Sequence, residues 1–373
     1  MTTRSIGAVV AAALLAWAAP ALGANTRVGF VNPGMKVEFW LQLAATMQAA
    51  AEQLGIDLDI RYTNREHGKT LAVVEQMLRE QPLPNFMIAT NDIGDGGAIP
   101  ERVDAAGVPI ILLSNDFNLQ KWERYGEPRT RYRNLLGSIV PDHEGGGYGI
   151  AEAIILAAAR IKQTGPLRLL ALTGDVETPA SNDRIRGMNR AVVVMRGLLG
   201  PGTVEVVKVA HLDWTEKTAE TWTRGFLKTA PRIDALWAAN DQMAFSAMTA
   251  LREAGYKPGW NVVVGGLNWS QRRIEKVLEG EMLLTHGGHF LGGAWAIAVL
   301  RDYHDGRDFA EEDVRLQFPM GAIDKGLARR FPDIGKVDWR QVDFTRFSKT
   351  LNPAVTRYDF TPEAALNALP SPR

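Results

Sequence analysis

The sequence predicts an α/β protein made of two doubly wound, parallel-sheet lobes. From residue 27 onward, short apolar runs alternate with longer amphipathic stretches, the pattern of strands joined by helical crossovers. That alternation runs once to about residue 113 and starts again near residue 146, so two α/β units follow one another. The apolar runs also end repeatedly in Asn, Asp, Ser or Thr, which places polar loops at one end of each sheet.

In the first unit, Arg27–Val31 reads as a strand, Phe39–Leu54 as a helix, Asp57–Thr63 as a strand and Lys69–Arg79 as a helix. Strand Asn85–Thr90, helix Ala98–Ala106 and strand Pro109–Leu113 complete it. The second unit begins with helix Gly146–Ile161, strand Leu167–Thr173, helix Asp183–Leu199 and strand Val204–Val209. Helix Thr215–Thr229, strand Ala235–Ala239, helix Gln242–Ala254 and strand Asn261–Gly265 continue it. Helix Arg272–Glu279, strand Met282–His286 and helix Leu291–Tyr303 fit either unit. Such crossovers imply mainly parallel pairing with helices on both faces of each sheet.

Composition removes several classes of function. The 373 residues carry 42 Lys+Arg against 42 Asp+Glu, so nothing in the net charge draws the chain to nucleic acid or an anionic membrane. The absence of Cys excludes disulfides, thiolate metal sites, a cysteine nucleophile and a lipidated N-terminal Cys. At the N-terminus, Arg4, the apolar run 6–19 and the small-residue junction Pro20–Ala24 read as a secretory signal peptide, residues 1–23, cleaved after Gly23. The run is shorter than the roughly 20 residues of a bilayer-spanning helix. The mature chain is therefore expected to be soluble and exported, to the periplasm in a Gram-negative cell.

Ligands of open α/β sheets bind beyond the carboxyl ends of the strands. The loops there read Asn32-Pro33-Gly34, Thr90-Asn91-Asp92, Ser114-Asn115-Asp116, Thr173-Gly174-Asp175, Asn240-Asp241 and Leu267-Asn268-Trp269. Each alone is an ordinary turn or helix cap; together they describe a polar cleft. Phe39, Trp40, Trp214 and Trp269 lie beside that rim, whereas Trp222, Trp237 and Trp295 sit inside elements and read as packing. Aromatic faces combined with fixed hydrogen-bonding groups suit a small polar ligand with one less polar face, such as a sugar ring.

The stretches Val28-Gly-Phe-Val-Asn-Pro-Gly34, Phe39-Trp40 and Gly107-Val-Pro-Ile-Ile-Leu-Leu-Ser-Asn115 resemble the first lobe of the class I periplasmic binding proteins, the ribose/galactose-type receptors. Ser181-Asn-Asp-Arg-Ile-Arg-Gly187, Ala238-Ala-Asn-Asp-Gln-Met-Ala244 and Val262-Val-Val-Gly-Gly-Leu-Asn268 resemble the second. The chain is also similar to furanosyl-autoinducer receptors and to the sensory domains of sugar-responsive repressors. The resemblance covers about residues 27–325 and implies two lobes joined by three hinge crossovers that close on ligand. It assigns 24–138 with about 288–316 to the N-terminal lobe and 139–287 with about 317–336 to the other, leaving 337–373 as an aromatic tail packed on the body.

By the same resemblance, Phe39, Trp40, Ser114 and Asn115 face the ligand from the first lobe. Arg184, Trp214, Asn240 and Asn268 face it from the second, with His286 at the hinge. Each has a plainer reading as well: Arg184 as a surface helix residue, Asn240 as a helix cap, His286 as a satisfied hinge histidine. Where simpler monosaccharide receptors carry an Asp near Ser114 and Asn268, this chain has neutral groups, which weakens an ordinary pyranose assignment and leaves modified sugars, furanosyl signals and polyols open. Phe117–Arg133 is a basic-aromatic insertion, read either as a structural flap or as a ligand or partner contact.

Enzyme chemistry finds no constellation. His286 and His289 flank Gly287-Gly288, a poor helix interior for a metal pair. No Gly-x-Ser-x-Gly elbow, P-loop or dinucleotide fingerprint occurs. The expected protein is therefore a non-catalytic, monomeric receptor needing no cofactor or metal. It delivers a small polar, carbohydrate-like ligand to an ABC permease; the other reading is a ligand-sensing subunit for a membrane sensor kinase or chemoreceptor.

Overall fold

The computed structural model describes residues 26–66, 68–91, 98–162, 164–230 and 232–370. The leader expected over residues 1–23 and Asp92 of the strand-exit set lie outside them. The chain runs β1 (Thr26–Asn32), α1 (Glu38–Leu54), β2 (Ile56–Tyr62), α2 (Lys69–Met77), β3 (Phe86–Ala89), α3 (Ile99–Ala106), β4 (Ile110–Leu113), α4 (Leu119–Tyr125) and β5 (Leu135–Pro141). It continues through α5 (His143–Ile161), β6 (Leu167–Thr173), α6 (Pro179–Leu199), β7 (Val204–His211), α7 (Glu216–Leu227), β8 (Ala235–Ala238), α8 (Asp241–Glu253), β9 (Val263–Leu267), α9 (Gln271–Glu279) and β10 (Leu284–Gly287). Then come α10 (Gly292–His304), β11 (Arg315–Phe318), β12 (Gly321–Asp324), α11 (Lys325–Arg330), three short 3₁₀ turns between Ile334 and Phe347, and α12 (Pro362–Asn367).

These strands form two six-stranded sheets, ordered β11-β5-β4-β3-β1-β2 and β12-β10-β9-β8-β6-β7. Central strands such as β3 (FMIA) and β8 (ALWA) are buried along their whole length, as continuous apolar runs must be when helices cover both faces. In each sheet the strand order reverses beside the first strand, β1/β3 and β6/β8, and the polar strand ends gather at those two points. One departure from the expected parallel pairing is β12, which runs antiparallel to β10. It can do so because only two residues, Pro319 and Met320, separate it from β11 in the other sheet.

The chain passes between the sheets three times: from β5 into α5, from β10 into α10, and from β11 into β12. The junction expected at residue 138 falls inside β5, which stays paired in the first sheet through Pro141 opposite Phe318. The second sheet's first helix starts correspondingly early, at His143, because the Asp142 carboxylate caps it by accepting from the Gly145 N–H at 2.7 Å. Pro179 in the first turn of α6 likewise starts that helix four residues before the expected Asp183. Helix α5 packs on α6 at backbone distance: a Cβ on Gly187 would lie 1.9 Å from the Glu144 carbonyl oxygen.

The 117–133 insertion folds onto its own lobe. Trp122 in α4 is buried edge-to-face against Phe117 (ring centroids 5.1 Å apart), and Arg129 pairs with Asp308. The C-terminal segment is pinned by its aromatics. Trp339 packs on Phe290, and Phe344, Phe347 and Phe360 surround Trp295 of α10. The buried Asp302 carboxylate accepts from Ser348 Oγ, the Lys349 and Thr350 N–H groups, Thr350 Oγ1 and Tyr358 OH. Among the described residues no helix is long and apolar enough to cross a membrane.

Candidate ligand-binding site

The strand ends of both sheets meet around a cavity of about 160 Å³ between the lobes. Eight of the nine expected residues line it: Phe39, Trp40, Ser114, Asn115, Arg184, Trp214, Asn240 and Asn268. A second, larger cavity of about 530 Å³ adjoins on the hinge side, sharing Ser114, Asn115 and His143 and bounded by Asp116, Asp183 and the tail residues Arg357–Thr361. The lobes touch across the cleft. Asn115 Oδ1 accepts from the Ala180 N–H (3.1 Å), the Ser114 carbonyl accepts from His143 Nε2 (2.9 Å), and Glu38 accepts from the Gln271 N–H (3.3 Å).

His286 is the exception. On β10, alternation turns it toward α5, where its ring fills the space beside Gly149, while Thr285 points the other way and donates to Asp241 Oδ1. The cavity instead receives His289, three residues on in the turn before α10, stacked on Phe39 with ring centroids 4.4 Å apart. Sequence reasoning also missed Val37, Arg65, His143, Thr178, Ala180, Asp213, Thr215 and Gln242. His143 had a detectable signal: it immediately follows the strand end and its Asp cap.

At the centre is Arg184, which α6 holds with only 4% of its surface exposed. Its Nη1 donates to the Ala239 carbonyl (2.7 Å), and its Nη2 faces His143 Nδ1 (3.2 Å) and His289 Nε2 (3.4 Å). A guanidinium only donates, so both ring nitrogens facing it are acceptors. His143 then carries its proton on Nε2, which matches its bond to the Ser114 carbonyl, and His289 carries its proton on Nδ1. Burial, reinforced by the Arg184 charge, pushes both histidines well below their usual range and keeps them neutral. Burial also pulls Arg184 down to about 9, still charged at neutral pH.

Trp214 forms one wall. Its Nε1 donates to Asp175 (3.0 Å), and its carbonyl accepts from Asn240 Nδ2 (3.0 Å). Asn240 also caps α8, its Oδ1 accepting from the Met243 N–H at 2.8 Å, so the cap reading holds for a residue that still lines the cavity. The indole sits directly against Gly174, where an added Cβ would lie 1.7 Å from it. Gly174→Ala must therefore push the indole out of the wall, at a cost of about 1–3 kcal/mol, and any ligand affinity should fall with little change in the fold. Tryptophan fluorescence and calorimetry on the variant check this; unchanged emission and affinity would remove Trp214 from the site.

Backbone strain marks the same place. Seven non-glycine residues have positive φ among the described residues, and four of them line this cavity: Arg65 (58°), Ser114 (64°), Trp214 (70°) and Asn268 (143°). Such conformations cost energy and persist where surrounding structure enforces them, commonly at ligand sites. No group of three metal-ligating side chains occurs among the described residues.

Two sheet lobes, three crossings between them and a strained, polar-aromatic cavity at both switch points form the bilobal frame of a solute-binding protein. The chain belongs to the periplasmic binding protein domain family, which matches residues 28–308, and within it to the class I, sugar-binding type with ribose- and galactofuranose-receptor homologues. A periplasmic sugar-binding protein from Pseudomonas fluorescens superposes with a TM-score of 0.81 at 28% identity, covering 91% of this chain and 99% of that one. The galactofuranose-binding protein YtfQ of Escherichia coli K12 is 21% identical over 278 residues, 73% of this chain and 80% of the relative. The ribose import binding protein RbsB of the same organism is 22% identical over 286 residues, 76% of this chain and 87% of the relative.

Proposed function

We propose that the protein is an exported periplasmic receptor that captures a small sugar-like ligand between its lobes and delivers it to an ABC permease. The observation that carries this reading is the inter-lobe cavity, to which each lobe contributes aromatic faces and hydrogen-bonding groups. The sugar-binding relatives support the ligand class, and the import function of the ribose relatives supports delivery. A ligand touching both lobes stabilises the closed arrangement, and a permease can distinguish that shape from the open one.

The test is a calorimetric and thermal-shift panel of neutral and acidic monosaccharides and myo-inositol on the purified protein, followed by small-angle scattering with the best binder. At about 100 times Kd, a ligand stabilises the folded state by roughly 2.7 kcal/mol, a shift of several degrees. Scattering should show a more compact particle on saturation. Failure of every sugar and polyol to bind would overturn the reading, and an unchanged particle despite binding would overturn ligand-driven closure.

A further inference from the structure

Trp269 stands beside the cavity without lining it, yet it follows directly on Asn268, which does. Both have positive φ, 143° at Asn268 and 60° at Trp269, a costly pair of conformations for residues other than glycine. The turn is tied at both ends. The Asn268 N–H donates to the His286 carbonyl at 2.6 Å, and the buried Asp241 carboxylate accepts from the Ser270 N–H (3.0 Å) and hydroxyl (2.9 Å). A contact that fixes Asn268 therefore also fixes the residue after it.

The strained turn delivers the indole to the hinge. It is 1% exposed, and its Nε1 donates at 3.0 Å to the carbonyl of Gly321, the first residue after the Pro319-Met320 crossing. A Cβ on Gly287 would lie 2.6 Å from the indole, one on Gly321 3.0 Å and one on Gly288 3.2 Å, so the ring rests on the backbone of two of the three crossings. Beyond Gly288 it meets Phe290 edge-to-face, with centroids 6.4 Å apart and planes at 71°. Phe290 hangs from the other lobe, its carbonyl accepting from Thr46 Oγ1 of α1 at 2.9 Å. Gly287 and Gly321 are paired within the second sheet and stay with the indole. Rotation of the lobes about Gly287-Gly288 instead carries Phe290 past it.

We propose that Trp269 is a positioning residue for lobe closure: without touching the ligand, it biases the hinge toward the arrangement in which the lobes touch, through its edge contact with Phe290. This rests on the sugar-receptor reading only in that the lobes rotate about these crossings.

The chain has no Cys, so two introduced ones carry the only spin labels. Glu101→Cys in α3 and Lys217→Cys in α7 put one exposed label on each lobe, and double electron-electron resonance reads the distance between them. The ligand-free native background is expected to populate the distance of the touching lobes. Trp269→Phe keeps an aromatic ring but loses the Gly321 bond and the reach to Phe290; Phe290→Leu keeps apolar bulk but loses the edge contact. Each should lower the ratio of the touching population to the wider one about 3- to 10-fold. Trp237→Phe is the matched control, because that indole is also fully buried and donates to a carbonyl, that of Gly147 at 3.0 Å, but inside the second lobe; it should leave the ratio unchanged. An unchanged ratio in Trp269→Phe or Phe290→Leu, an equal fall in Trp237→Phe, or a native protein lacking the touching distance would overturn the assignment. Saturating D-galactose, D-ribose and myo-inositol form a separate arm on the native background. If none of them raises the touching population, closure on a sugar is overturned, while the ligand-free ratios still decide for or against Trp269.

Discussion

Trp295→Ala is expected to lower the stability of the first lobe by about 3–5 kcal/mol, the range for emptying a buried aromatic site. Trp295 is fully buried on α10. Phe360 stacks on it at 4.9 Å with the rings 8° from parallel, and Phe347 and Phe344 close in at 4.7 and 6.2 Å. The indole is thus the anchor of a long irregular segment with little hydrogen-bonded regularity of its own. Thermal unfolding should drop by roughly 10 °C or more, and limited proteolysis should open cleavage sites between residues 338 and 361. A variant that melts within a few degrees of the native protein, with this segment still protected, would show that the tail is held by something other than its aromatics.

Asp116→Asn is expected to stabilise the protein at neutral pH by up to about 3 kcal/mol and to do nothing of the kind at pH 4. Burial raises the Asp116 carboxyl from 3.8 to about 6, with Asp183 across the cavity adding to the rise and the Ser138 hydroxyl opposing it. A carboxyl that is harder to ionise when folded imposes no cost below its ordinary pKa, where both states hold the proton. The cost grows as pH rises from about 4 and is complete above about 6. Asparagine avoids it and keeps an acceptor for Ser138. The buried histidines work in the opposite direction, His286 for example being pushed down to about 4 by burial, but they are common to both proteins and cancel in the comparison. Denaturant titrations of the two proteins at pH 4 and 7.5 measure the difference; equal stability at both would mean that water reaches this carboxylate in the folded state.

The alternation of apolar runs was enough to read the parallel sheets, because strands buried on both faces cannot be anything but continuous hydrophobic segments. Polar strand ends were legible for the same reason: the chain changes character where it leaves the core, and Ser114, Asn240 and Asn268 stand at such changes. β11 and β12 were not legible. RLQF and GAID are four-residue edge strands whose partners lie 177 residues and 34 to 40 residues away in sequence, respectively. The Pro at its end disguised β5, and α4 lay hidden in a stretch that read as charged and aromatic rather than periodic. The His286 assignment failed on geometry no spacing reveals: a two-residue alternation sends it to the wrong face, and one turn later the chain brings His289 in. Positive φ at Arg65, Ser114 and Trp214 has no signature when the residue is not glycine.

The tail joins the lobes without passing through the hinge. Gly335 is held by Gln271 of α9, its N–H donating to Oε1 at 3.1 Å, while four residues later Trp339 is buried against Phe290, and Gln53 of α1 donates to the Arg340 and Val342 carbonyls. A fully extended chain spans at most about 3.6 Å per residue, so these two anchorages can separate by no more than roughly 14 Å while both hold. The span sets a mechanical stop. Any rotation that opens the cleft with both anchorages in place is therefore limited to that travel, and a wider gape requires the leash to be peeled from one lobe first.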